Sequence, residues 1–107
     1  MELPSLDELN LLHANICKAM GDPKRIQLLY TLRGAPRHVS ALAEELEMPQ
    51  PTVSRHLAIL RDRGLVSADR DGAQVYYSQA APEIVDILDQ MRALLRGIVE
   101  QRSQVIF

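Results

Sequence analysis

The sequence predicts a mainly α fold of α+β class, a winged helix-turn-helix with about five helices and a two-stranded β-hairpin wing. Three observations carry this reading. Two amphipathic helical stretches lie either side of a tight turn at 47–51, a glycine closes the second stretch, and an Asp71-Gly72 pair follows between alternating apolar residues.

Ser5-Leu-Asp-Glu8 is a capping box, and it opens a helix carrying Leu6, Leu9, Leu12, His13, Ile16 and Met20 at helical spacing. Asp22-Pro23 caps a second helix with Ile26, Leu28, Leu29 and Leu32, which stops at Gly34. A short third helix runs from Ser40 to Leu46, with Ser40 as its N-cap, Glu44 and Glu45 in its early turns, and Leu42, Ala43 and Leu46 on one face. The fourth enters through Pro49-Gln50-Pro51, where proline is tolerated because the first N–H groups of a helix lack partners anyway. It continues through Thr52–Arg63 and ends at Gly64, a left-handed stop. Val53, Leu57 and Leu60 form its buried stripe.

The runs 65–70 and 73–78 then flank Asp71-Gly72, a strong two-residue hairpin signal. Pairing across that turn sets Arg70 against Ala73, Asp69 against Gln74, Ala68 against Val75, Ser67 against Tyr76 and Val66 against Tyr77. Val66, Ala68, Val75 and Tyr77 then share one face, and Ser67, Asp69, Gln74 and Tyr76 the other. The last helix starts near Pro82 and repeats Ile84, Leu88, Met91, Leu95 and Ile98 in alternating steps of four and three, an a/d seam. Ile87, Leu94 and Val99 widen that seam beyond what one small domain covers, so a homodimer is expected.

At 107 residues with 47% hydrophobic content, the chain is expected to form one domain over 1–107. It has no charged-then-apolar leader and no run long enough to cross a membrane, and its single cysteine suits a reducing compartment; a cytoplasmic protein with no membrane partner is expected. The formal charge is −2, from twelve Lys and Arg against fourteen Asp and Glu. Residues 50–79 are less acidic, with Arg55, Arg61, Arg63 and Arg70 against Asp62, Asp69 and Asp71. Weak non-specific affinity for nucleic acid and reliance on shape and base contacts follow from that balance.

The residues on and beside the exposed face of the fourth helix suit double-stranded DNA. Gln50 can read adenine, Arg55 can read guanine, and Thr52 and Ser54 can hold phosphates. His56 lies beside the buried stripe, where packing and phosphate contact are both open to it. Arg70 and Gln74 lie near the wing tip, within reach of phosphates or the minor groove; a solvated turn charge is the plain alternative for Arg70. No nucleophile and base share a recognisable motif and no phosphate loop is present, so the chain is not read as an enzyme and no cofactor is expected.

The run Lys18-Ala-Met-Gly-Asp-Pro-Lys-Arg25, followed by Leu42-Ala-Glu-Glu-Leu46, Gln50-Pro-Thr-Val-Ser-Arg-His-Leu57, Leu60-Arg61, Gly64-Leu-Val66 and Gly72-Ala-Gln-Val-Tyr-Tyr77, resembles the ArsR/SmtB family of bacterial repressors. The resemblance covers nearly the whole chain. It implies a homodimeric winged-helix transcriptional repressor that sits on a near-palindromic operator until an inducer releases it. The first and last helices would make the interface, with Leu9, Ile16, Leu88, Met91, Leu95 and Ile98 as the expected contacts. Relatives commonly carry glycine at the turn position of Glu47, so a positive φ there would cost this chain about 1 kcal/mol.

The resemblance also bears on sensing. Many relatives bind metals through a Cys-Val-Cys run before the recognition helix, or through His, Asp and Glu on the last helix. Here His38 and Ser40 flank Val39 in place of the two thiols, and the last helix offers Glu83, Asp86, Asp89 and Glu100 without a histidine. No metal site is expected from either set. Cys17 and His13, one helical turn apart, are the remaining candidates for metal or redox sensing, against the plain reading of a small buried apolar cysteine and a solvated or interface histidine. The other alternative is a winged-helix module that binds protein instead of DNA.

Overall fold

Each of the first three helices starts where the sequence supplies an acceptor for its free N–H groups, as the computed structural model of residues 2–106 shows. Met1 and Phe107, the ends of the expected 1–107 domain, lie outside the described residues. Ser5 Oγ accepts from the Glu8 N–H at 3.1 Å and opens α1 (Leu6–Leu12). The helix then widens into a π-helical turn over His13–Cys17, which helical periodicity alone did not disclose. Asp22 accepts from the Lys24 N–H at 2.8 Å and opens α2 (Pro23–Thr31). That backbone N–H is the main reason the Asp22 carboxyl lies below the usual carboxylate range.

The cap of α3 (Val39–Leu46) differs from expectation. His38, not Ser40, is the N-cap, with Nδ1 accepting from the Ala41 N–H at 3.2 Å. The Ser40 hydroxyl lies 2.7 Å from the same nitrogen. His38 is free for this because it ends a two-residue strand, β1 (Arg37–His38), where the sequence reading placed no strand. α4 (Gln50–Asp62) follows Pro49 with no side-chain cap, its prolines reducing the number of N–H groups to satisfy.

Both helices of the helix-turn-helix close in the same way. The Leu65 N–H donates to the Leu60 carbonyl at 2.9 Å past Gly64 (φ 77°), and the Met48 N–H donates to the Ala43 carbonyl at 3.0 Å past Glu47 (φ 54°, ψ 46°). These are Schellman closures, one with glycine at the left-handed position and one without.

The wing pairs β2 (Val66–Asp71) with β3 (Gln74–Gln79), and β3 also pairs with β1, giving an antiparallel sheet in the order β1-β3-β2. The expected register needs correction by two residues. Val66 lies opposite Gln79, Ala68 opposite Tyr77, Arg70 opposite Val75 and Asp71 opposite Gln74, so the loop is Gly72-Ala73 rather than Asp71-Gly72. Gly72 has φ 66° whereas Ala73 is not left-handed, and a positive φ at only the first of two loop residues is the type II′ arrangement. An even shift leaves each side chain on its expected face.

The core forms where these elements meet. Leu28 and Leu29 of α2, Leu42 of α3, and Val53, Leu57 and Leu60 of α4 are fully buried, with Leu65 and Val66 closing one side. α5 (Glu83–Ile106) adds Ile84, Val85 and Leu88 to this cluster. The a/d seam therefore divides. Its first members are buried in their own chain, while Met91, Leu94, Leu95, Ile98 and Val99 are exposed.

Candidate nucleic-acid interface

The buried stripe of α4 determines which of its side chains can leave the protein. With Val53, Leu57 and Leu60 facing inward, Gln50, Ser54 and Arg55 are exposed and Thr52 is half-buried. Arg55 and Arg70 form no ion pair among the described residues, whereas Arg25, Arg33, Arg37, Arg63 and Arg92 each face a carboxylate. Guanidiniums without a carboxylate partner among the described residues thus stand on the helix, as Arg55 and Arg61, and on the wing, as Arg70.

A groove of about 290 Å³ separates the start of α4 from the wing, lined by His38, Val39, Ser40, Gln50, Gln74 and Val75. It brings Gln50 and Gln74 to one depression although they lie on different elements. Arg70, paired with Val75, lies on the hairpin face opposite that of Gln74. Asp69 and Asp71 line a second groove with Pro36, Tyr76 and Ser78, so one side of the wing is acidic.

His56 does not join the exposed group and is corrected here. It is 7% exposed, and its Nδ1 lies 3.3 Å from a guanidinium nitrogen of Arg25, so its ring faces α2 rather than solvent. The burial follows from position 56 directly preceding Leu57 on a helix whose inward face is broad. Leu88 is likewise corrected: at 3% exposure it packs into its own core and offers nothing to a partner. Of the other residues expected at an interface, Leu9, Met91, Leu95 and Ile98 are exposed and Ile16 is partly covered by the core.

Cys17 and His13 are both exposed, and among the described residues no three His, Cys, Asp or Glu side chains gather as a metal set. His38 is occupied as a helix cap, and its ring stands edge-on to Tyr76 with centroids 5.6 Å apart. Sequence reasoning missed Arg25 altogether. A basic residue two positions after Pro23 gives no sign that it will fold back across the end of the preceding helix.

Residues 22–68, from the cap of α2 to the start of the wing, match the family described as bacterial regulatory protein, arsR family. The uncharacterized HTH-type transcriptional regulator Rv0081 of Mycobacterium tuberculosis is 33% identical over 101 residues, covering 94% of this chain and 89% of that protein. The chain belongs to the arsR family of bacterial regulatory proteins. The family is one of transcriptional regulators and not of enzymes, and it binds DNA through a winged helix-turn-helix.

Other arsR relatives agree. The HTH-type transcriptional regulator NmtR of M. tuberculosis is 38% identical over 77 residues, which is 72% of this chain but only 64% of NmtR. The crystal structure of M. tuberculosis Rv0081 superposes with a TM-score of 0.77 at 34% identity, covering 88% of this chain and 95% of that one. The solution structure of the homodimeric winged helix-turn-helix DNA-binding domain Mb0332 from Mycobacterium bovis gives a TM-score of 0.75 at 29% identity, covering 94% and 95%. Among the described residues no helix is long and apolar enough to cross a membrane.

Proposed function

We propose that this arsR-family chain is a cytoplasmic repressor that acts as a homodimer, one domain per subunit, on a near-palindromic DNA operator. The observation that carries the reading is the exposed face of α4, where Gln50, Ser54 and the unpaired Arg55 stand beside a wing bearing Arg70 and Gln74. Arg55 and Gln50 serve base edges, Thr52 and Ser54 serve phosphates, and the wing residues follow the backbone.

Homodimerisation is supported by the apolar side chains left in solvent on the two terminal helices, Leu9 at 41%, Met91 at 54%, Leu95 at 60% and Ile98 at 40%. A two-fold assembly doubles the reading head and matches a near-palindrome, with half-sites about one helical turn apart. Repression by release requires an inducer that prefers the DNA-free form.

Selection from a random duplex library with the purified full chain, followed by sedimentation of the selected complex, tests the whole reading. Recovery of an inverted repeat bound by two chains is the expected result. A selected site without two-fold symmetry, or binding by one chain, would refute the dimeric part, and no enrichment at all would refute DNA binding.

A further inference from the structure

Behind the recognition helix lies a guanidinium that touches three segments at once. Arg25, in the first turn of α2, has a side chain only 14% exposed. Its Nε donates to the Ala19 carbonyl at 2.7 Å and one Nη donates to the Lys18 carbonyl at 3.0 Å, where the N-terminal helix ends. The negative end of a helix dipole and its incompletely bonded carbonyls suit a buried cation. The other Nη meets Nδ1 of His56 on α4 at 3.3 Å and lies 3.9 Å from Asp22. A guanidinium can only donate, so His56 accepts at Nδ1 and is neutral, with its proton on Nε2.

We propose that Arg25 is the positioning residue of the recognition helix, a strut that ties α4 through neutral His56 to the end of the N-terminal helix. The apolar stripe holds α4 against the core, but such contacts are non-directional and leave sliding and rotation cheap. Directional restraint comes from two polar ties. One is Arg25 to His56; the other is Arg63, at the C-cap of α4, which donates to Asn15 Oδ1 at 3.2 Å. Asn15 is itself held by donating to the Leu11 carbonyl at 2.8 Å. Both ties lead back to one helical segment, the same segment that carries the exposed Leu9 and Leu12. A displacement of that segment is therefore passed to α4 at its middle and at its end.

The charge state of His56 decides whether the strut exists. The charged groups near enough to act on the ring are Asp22, Lys24 and Arg25 from the start of α2 and Arg55 from α4 itself, of which Arg25 touches it. Burial is the main reason its pKa lies below the usual histidine value; Asp22 opposes the shift, and the positive charges of Arg25, Arg55 and Lys24 add to it. Protonation would turn the Nδ1 acceptor into a donor aimed at another donor. Acid therefore opens the tie, and DNA affinity falls as pH drops. A histidine touching DNA phosphate would behave in the opposite way, because the phosphate favours the imidazolium. The proposal rests on the DNA-binding reading only for this effect on affinity.

NMR of the full chain tests the strut without DNA. The expected result is an Nε2–H tautomer for His56 at neutral pH, with the amides of Lys18, Ala19 and Met20 shifting at the same midpoint as the ring. Arg25→Gln should raise that midpoint and uncouple those amides. An Nδ1–H tautomer, or amides that ignore the ring titration in the wild-type chain, would overturn the proposal whether or not the variant folds. With a duplex selected by the wild-type protein, affinity should be about tenfold weaker at pH 5.5 than at 7.5, within the usual range of coupling between sites. His56→Asn, which keeps an acceptor that does not titrate, should lose most of that dependence. Wild-type affinity that rises on acidification relative to His56→Asn would also overturn the strut. If no duplex is ever enriched, the DNA reading fails while the ring and amide titrations still decide.

Discussion

The Tyr30 hydroxyl donates a 2.6 Å hydrogen bond to Asp89 Oδ1, fastening α2 to α5 across 59 positions of sequence. Arg92 lies 5.3 Å over the Tyr30 ring and 3.3 Å from the same carboxylate, and Arg33 reaches Asp89 at 3.5 Å. The phenol is the main reason the Asp89 carboxyl titrates below the usual range, with Arg33 and Arg92 adding to it. The stability from a carboxylate lowered in this way is fully present above its unfolded pKa, near 4, and is lost as pH falls through the lower folded value.

Tyr30→Phe should consequently raise the Asp89 pKa towards the ordinary carboxylate value and lower the Tm at neutral pH. The difference in Tm from wild type should shrink in strong acid, where the carboxyl is neutral. Carboxyl-carbon titration reads the first effect and calorimetry the second; an Asp89 pKa unchanged by Tyr30→Phe would contradict the assignment.

Arg55→Ala should weaken binding to a selected duplex. If Arg55 pairs with a guanine edge, the loss is about 1–3 kcal/mol and is confined to one base position. If it meets a phosphate, affinity drops evenly across sequences and the salt slope falls by about 1. Affinity within twofold of wild type for every duplex would remove Arg55 from the interface.

Leu95→Glu and Leu88→Glu should behave differently. Leu95, 60% exposed, can take a charge without harming the monomer, so its variant should sediment as a folded monomer that no longer binds DNA. Leu88 is buried in its own core, and a carboxylate there should lower the Tm sharply at any concentration. A folded dimer in the Leu95→Glu variant would move the interface elsewhere.

Glu47→Gly should stabilise the chain by a net amount below about 1 kcal/mol, since the left-handed strain removed exceeds the backbone entropy that glycine adds. Gly64→Ala should do the reverse by about 1 kcal/mol, because its φ of 77° is strained for any side chain although the space beside it is open. Urea unfolding of the two variants measures both signs.

What was legible in the chain was what depends on periodicity and on local punctuation. The stripe Val53, Leu57 and Leu60 is buried as its spacing required, and Ser5, Asp22 and Gly64 mark helix ends by their own chemistry. The wing faces survived a misplaced turn because the error was two residues, while the turn itself depended on whether Gly72 stood first or second in the loop. Three features left no local trace. The Arg37–His38 strand exists only because β3 offers it an edge, the π turn at His13–Cys17 interrupts a run that reads as regular helix, and the Arg25 to His56 contact joins residues 31 apart. The a/d seam was visible, but not the point where it passes from core to solvent, because that depends on which residues distant in sequence reach α5.

That division of α5 has a kinetic side. Past Leu88 the apolar side chains Met91, Leu94, Leu95, Ile98 and Val99 are exposed, and most helical stability in proteins comes from packing an apolar face rather than from propensity. Its distal turns should therefore fray and re-form rapidly in a lone subunit and become persistent when a second copy covers them. Helix content then becomes a function of how much protein has been made. If the chain pairs through these turns as proposed, the capacity to occupy DNA should rise more steeply than in proportion to supply.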